Sequence, residues 1–314
     1  MPDDRSRRPT LLPPILPSLT LALALALSLG SPGPAAGQAV IDVQDDLDFD
    51  RPEAWAMKWF ASSTLFTGLG APRDRQPWEL EVGLEGGWLP SLSEEERRVG
   101  FDGEKVEDLN RSDVFGRVRA TLGLPGRFSL SAGWVPPVEI DGLEPSLLSV
   151  ALSRPLAEGR SWRLGGRLHA TGGEVEGDIT CDRATVAAGD DPVANPFGCL
   201  EPSRDEVTLR TWGAELSIAW PLSRTEPYLA AGGNWHDHEF QVDALYTGVR
   251  DRTLLLADGF TWHAAGGLSW SPGERTRLAG EVFYSPLDVE RPPERESEND
   301  ELLNVRLLLS WRLR

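Results

Sequence analysis

The chain has 314 residues, a formal charge of −18, and 40% hydrophobic against 25% charged side chains. That balance excludes global disorder, and the acidity excludes a nucleic-acid partner, whose phosphates require a basic surface. Tryptophan is abundant, at 12 residues, yet no run after the first thirty residues approaches the roughly 20 apolar residues that a membrane-spanning helix needs.

The N-terminus reads as an export signal. Arg5, Arg7 and Arg8 precede the apolar run "LTLALALALSL" at residues 19–29, and small residues in "GPAAGQAV" follow it. This is the order of a secretory signal peptide, with cleavage expected after Ala39. Residues 1–39 carry three arginines and two aspartates, so their removal leaves the chain one unit more negative. Three regions follow: a signal peptide at 1–39, an acidic tail with an amphipathic helix at 40–76, and a barrel at 77–314. In the second region, Asp50 is placed to N-cap a helix, Pro52 to occupy its first turn and Glu53 to complete a capping box. Trp55, Trp59, Phe66 and Leu69 share one helical face, Ser62 interrupts it, and Gly68 or Gly70 can end it. Such a helix would plug the barrel or lie on a membrane surface; a strand near residues 60–69 is the alternative.

From residue 77 the hydrophobic period changes to two. In "WELEVGLEGGW" (78–88), Trp78, Leu80, Val82, Leu84 and Trp88 share one face, and Glu79, Glu81 and Glu85 the other. Nine further segments repeat the alternation. Near residues 113–124, Arg117 and Arg119 oppose valines and leucines. The segments 128–134 and 148–154 set serines against apolar residues, ending at Trp134 in the first. Trp162, Leu164 and Leu168 oppose Arg163, Arg167 and His169. Trp212 and Trp220 oppose Glu215. Trp235 opposes His236 and His238. Phe260, Trp262 and Trp270 oppose His263. Leu278, Val282 and Tyr284 oppose Arg275, Arg277 and Glu281, and the last segment sets Trp311 against Arg306 and Arg312. The links after even-numbered segments are short and those after odd-numbered ones longer, which is the pattern of transmembrane β-barrels. The fold expected is all-β: a closed antiparallel up-and-down barrel of ten strands, with twelve as the alternative. From Trp78 to Trp88 is about 33 Å of strand, or about 25 Å of height once tilted, matching an apolar membrane band. The aromatic girdle is then Trp78, Trp88, Trp134, Trp162, Trp212, Trp220, Phe260, Trp262, Trp270 and Trp311. The charged face lines the lumen, and arginine forks from neighbouring strands are expected to hold the glutamates of the first strand.

Cys181 and Cys199 lie in the longest link, and in an oxidising compartment they are expected to pair. His169, His236, His238 and His263 fall near the outer rim with inward parity, the only weak candidates for a metal or a general base. No P-loop, dinucleotide fingerprint or nucleophile elbow occurs, so neither cofactor nor catalytic residue is assigned.

The signal peptide, the ten alternating segments, the aromatic belts and the final strand resemble the bacterial outer-membrane β-barrel proteins. The resemblance covers residues 77–314 and is architectural. It implies lodging in outer-membrane lipid with both termini periplasmic, and recognition of the last strand by the barrel-insertion machinery. Such proteins usually end on an aromatic residue, whereas here Trp311 precedes Arg314 by three positions. Outer-membrane proteases with ten strands use Asp and His at the rim, but their Asp-x-His spacing is missing from "HDH" at 236–238; the His-x-Ser of outer-membrane lipid hydrolases is missing too. The functional expectation is a structural or binding role with disulfide-pinned outer loops, its ligand unknown. A narrow channel for small polar solutes and a rim hydrolase are the alternatives.

Overall fold

A computed structural model describes residues 39–293 and 296–313. The residues before Ala39, where a signal peptide is expected, lie outside the described residues. Ten strands follow in chain order: β1 Leu80–Trp88, β2 Val114–Leu124, β3 Phe128–Val135, β4 Leu143–Glu158, β5 Arg163–Gly177, β6 Asp205–Ala219, β7 Thr225–Gln241, β8 Leu254–Trp270, β9 Thr276–Glu290 and β10 Ser297–Arg312. Each pairs antiparallel with its chain neighbours, and β1 closes the circle on β10 through pairs such as Leu84 with Leu309. The short links sit at one end, including the 3-10 turn Pro125–Arg127, and the long loops at the other.

The strands from β4 onward run 15–17 residues, well beyond the ten that the apolar period marks. The added length lies at the long-loop end, where the polarity of the wall inverts. On β6, Trp212 and Leu216 face outward while Glu215 and Ser217 are buried inside; one pleat repeat above Trp212, Arg210 faces out, and Val207 and Leu209 are buried. β7 changes from Trp235 to Asp237 on its outer face, and β8 from Phe260 to Asp258. The lower part of the wall is thus built like a membrane barrel and the upper part like a soluble one.

One helix, α1 (Pro52–Ser63), stands inside the barrel. Trp55 and Trp59 pack there against Phe283, Leu287, Val289 and Leu302. The helix begins one residue later than expected, with Arg51 at the N-cap and no side-chain cap. Glu53 turns instead to the Asp102 amide of an outer loop at 2.6 Å. The helix also ends early, at Ser63, so Phe66 and Leu69 belong to an extended stretch that descends the lumen. Its carbonyls are claimed by wall arginines, which gives the backbone better partners than another helical turn would.

The described N-terminal end differs from expectation. Ala39–Ile41 pairs in parallel with Val249–Asp251 in a long loop, so it lies at the opposite end of the barrel from Arg312. That pairing completes a small outer sheet with Ala244–Tyr246 and Cys199–Glu201. Cys181 and Cys199 are disulfide-bonded, with Cα atoms 5.8 Å apart, and pack on Val242 and Ala244. A short helix, α2 (Arg183–Ala187), lies within the closed loop, capped by the Asp182 carboxylate, which accepts from the Thr185 amide at 2.7 Å.

Candidate functional site

The lumen is the site that the charged face of the strands builds. Arg306, Arg119, Arg117, Arg167 and Arg277 reach the descending segment of residues 62–69. Arg306 on β10 donates to the carbonyls of Leu65 (2.6 Å), Ser62 (3.0 Å) and Ser63 (3.3 Å). Arg119 on β2 donates to the Thr67 carbonyl at 2.7 Å. Arg117 donates to the carbonyl of Thr64, Arg167 to that of Phe66 and Arg277 to that of Leu69. The ring of Phe66, fully buried, has the guanidinium carbons of Arg119, Arg167 and Arg117 at 4.1, 4.6 and 5.2 Å from its centroid. A desolvated ring quadrupole facing several cations is a favourable contact. Gly70 is required where the chain leaves this cluster: its φ is +131°, and a Cβ there would meet Arg277 Nη2 at 2.2 Å.

The carboxylates are fewer and more dispersed. Glu85 accepts from Arg117 at 3.3 Å and forms an ion pair with Arg119 at 3.0 Å, both on the neighbouring strand. Glu79 pairs with Arg312 at 3.1 Å, but Glu81 pairs at 2.8 Å with Arg75, which comes from the chain entering β1. Glu281 accepts from Thr67 at 2.7 Å and Tyr228 at 3.0 Å, and Glu215 lies 3.5 Å from His263. Arg163 holds Glu226 near the short-turn end. Arg275 is not in the lumen: it sits exposed in the turn between β8 and β9, and Arg312 is half-exposed at the rim. The arginine forks expected for carboxylates are therefore spent largely on backbone oxygens. Those oxygens belong to every residue and leave no mark in a sequence. The lower lumen holds a polar cavity of about 60 Å³ beside Gly68, Arg119 and Arg277.

The histidines lie deeper than the rim. His236 and His238 are buried beneath the N-terminal segment, with Phe49 stacked on His236 at 5.9 Å. His236 Nδ1 is 3.1 Å from His238 Nε2, and its Nε2 is 2.8 Å from Thr261 Oγ1. His263 is 3.1 Å from the Asn234 amide, and His169 approaches it only ring to ring at 6.4 Å. Among the described residues these rings do not converge with carboxylates on one point. The acidic group whose oxygens do approach one another, Glu174, Glu176 and Glu206, is exposed on the outer wall.

Of the expected aromatic girdle, Trp78, Trp88, Trp134, Trp162, Trp212, Phe260, Trp262, Trp270 and Trp311 are exposed on the outside and Trp220 is half-buried. Trp235 joins them on the outer face, in edge contact with Phe260 at 5.2 Å.

Two seams interrupt the wall in its upper half. The β8–β9 ladder stops at Ala264 with Tyr284, although both strands continue. Gln44–Asp46 fills this seam, pairing parallel with Leu254–Leu256. The Leu47 amide donates to Leu256 at 2.8 Å and the Glu290 amide to Asp50 at 2.7 Å, so the segment touches both edges. The β2–β3 ladder likewise stops at Val118 with Trp134. Continued in register, Gly116 and Phe115 would face Pro136 and Pro137, and proline has no N–H to offer a ladder. No segment fills this second seam among the described residues; a cavity of about 510 Å³ opens behind it.

No family model and no curated protein matches the sequence. Solved structures similar to the barrel include the attachment invasion locus protein Ail of Yersinia pestis, at 7% identity over 76% of this chain and 99% of that one, with a TM-score of 0.28. The outer membrane protease OmpT from Escherichia coli is 9% identical over 75% and 92%, with a TM-score of 0.36. The toluene transporter TodX of Pseudomonas putida is 12% identical over 87% and 78%, with a TM-score of 0.32. The likeness is one of barrel architecture.

Proposed function

We propose that the chain is an outer-membrane barrel of the bacterial envelope whose lumen is closed by its own N-terminal segment, and that it works as a binding and display scaffold. The observation that carries this reading is the set of wall arginines bonded to the carbonyls of residues 62–69. A solute path would have to break these charge-assisted bonds, each worth about 1.5–3 kcal/mol. The inversion of wall polarity above Trp212, Trp235 and Phe260 supports a membrane boundary at that level, with the disulfide-pinned cap beyond it. Burial of all four histidines, with His236 and His238 bonded to each other, favours a packing role over hydrolysis.

The expected result in planar bilayers is no reproducible single-channel step from the native protein; regular steps would overturn the closed lumen. Membrane fractionation with heat-modifiable gel migration tests the location. A soluble protein without a migration shift would remove the membrane reading.

A further inference from the structure

The unfilled seam has the features of an entrance. Its sill is the Val118–Trp134 pair and its jambs are Val114–Arg117 on one side and Val135–Ile140 on the other. Above it, Arg111 bridges the loops, donating to the Asp178 carboxylate at 2.7 Å and the Asp141 carbonyl at 2.8 Å. The result is a framed window, not a frayed edge. At its threshold Gly86 pairs with Gly116, both on the outward face. A Cβ built on Gly116 meets nothing within 4 Å.

The cavity behind the window is bounded by residues from both faces of the wall: Leu84 and Val118 outside, Phe60, Leu147, Val175 and Leu209 inside. Its charged neighbours, Glu85 and Arg117, are already paired with each other. A volume of about 510 Å³ is within the roughly 300–1,000 Å³ of small-molecule sites. Left empty, it would deprive a wide apolar lining of contacts on one side. Phe60 also lines a second cavity of about 360 Å³ that leads toward the outer loops past Phe101 and Tyr246.

We infer that the window admits an apolar alkyl chain from the outer half of the bilayer into the cavity over Phe60, so that the scaffold binds a hydrocarbon tail within its wall. The inference rests on the membrane location proposed above. The chain enters tail first, because the lining is apolar apart from Thr64, Ser112 and the ion-paired Glu85 and Arg117. Transfer from lipid brings no hydrophobic gain, since lipid tails are equally apolar; what the tail gains is contact with the unfilled lining.

Photo-crosslinking of the full protein in phospholipid vesicles tests this. One arm uses a phospholipid with a diazirine at the end of its acyl chain, the other a free diazirine-bearing dodecane. The expected result is label on Phe60, Leu147 or Leu209 as well as on the outward Leu84 and Val118. That interior label should be lost in Gly116→Trp and in Val138→Trp, which place a bulky ring at opposite jambs, both exposed. Heat-modifiable migration confirms that each variant is folded. The arm that gives interior label identifies the source as membrane lipid or free hydrocarbon, and either supports the site. Label confined to Leu84 and Val118 overturns the window while leaving the membrane location intact. Label on neither set overturns the membrane location and the window with it. Interior label that survives both blocking variants overturns the route.

Discussion

The two seams in the wall began with the same interruption and were finished differently. At β8–β9 the protein inserts its own residues 44–50, and Phe49 packs over Gly259, where a Cβ would meet the ring at 2.2 Å. At β2–β3 it places two prolines and leaves a window. The physical cost of an open seam is the same in both, namely backbone groups without ladder partners. The difference is where each opens inward. The sealed seam lies over buried histidines and polar side chains that must be kept from water or lipid. The open one lies over an apolar cavity that tolerates a hydrocarbon neighbour. Closure of a barrel is thus a local decision, made strand by strand.

The largest effect should come from removing what anchors the sealed side. Arg306→Ala leaves the carbonyls of Ser62, Ser63 and Leu65 without their guanidinium. Each carbonyl keeps one other donor, from the Leu65 amide, the Asn304 side chain and the Thr67 amide in turn, so what is lost is the charge-assisted bonds themselves, about 3 kcal/mol or more in sum. The descending segment should loosen, and bilayer recordings should acquire steps that the native protein lacks. An Arg306→Ala protein as silent and as heat-stable as the native one would mean that the carbonyl contacts do not hold the plug.

Next in size is Phe49→Ala. The ring is half-buried, so its truncation should cost about 2 kcal/mol, below the range for a fully buried phenylalanine. The effect should be directional: hydrogen exchange should quicken along Leu254–Phe260 and leave Phe115 and Gly116 unchanged. Equal acceleration at both seams would show that they are not independent.

Replacing Pro136 and Pro137 together by threonine should act in the opposite sense. It restores two N–H groups, of which the pleat aims one at β2 and the other at β4, and lets the ladder climb past Trp134, stabilising by about 1 kcal/mol. Amide protection of residues 115 and 116 should rise and interior crosslinking should fall. If protection stays low, the seam is kept open by the packing of the 136–142 loop and not by the missing N–H groups.

How much of this was legible in the sequence depends on which atoms carry the signal. Strand number, order and facing were readable because Leu, Val and Trp alternate with Glu, Arg and Ser below the girdle. The upper extensions were not, because there the apolar residues change parity: Val207 and Leu209 face inward whereas Trp212 and Leu216 face outward. A search for one continuous apolar face ends at that crossing. Helix α1 was legible from Pro52 and its tryptophans, but its end was not, since the competing partners of its carbonyls are arginines more than fifty residues away. The same long range hid the placement of Ala39–Ile41 among the outer loops. The prolines of the window were in view throughout, and register alone shows what they oppose.

The smallest effect on the barrel should come from the outer cap, where Glu107 is buried next to Lys105, with Nζ 2.6 Å away. Burial pushes the Glu107 carboxyl up to about 7, against the pull of the Lys105 ammonium. A folded value above the unfolded one means the folded loop binds the proton more tightly. Its contribution is therefore fully present below about pH 4.5 and is lost as the pH rises through about 7. Lys105 also donates to the Thr180 carbonyl, so the loop that carries Glu107 is tied to the start of the disulfide loop. Hydrogen exchange of residues 105–107, corrected for intrinsic rates, should be roughly tenfold slower at pH 5 than at pH 8, equivalent to about 1.4 kcal/mol. Glu107→Gln, which cannot ionise, should abolish that difference and hold the loop at its low-pH protection throughout, while both seams stay as they are. A pH difference that persists in Glu107→Gln would move the titrating group elsewhere in the cap.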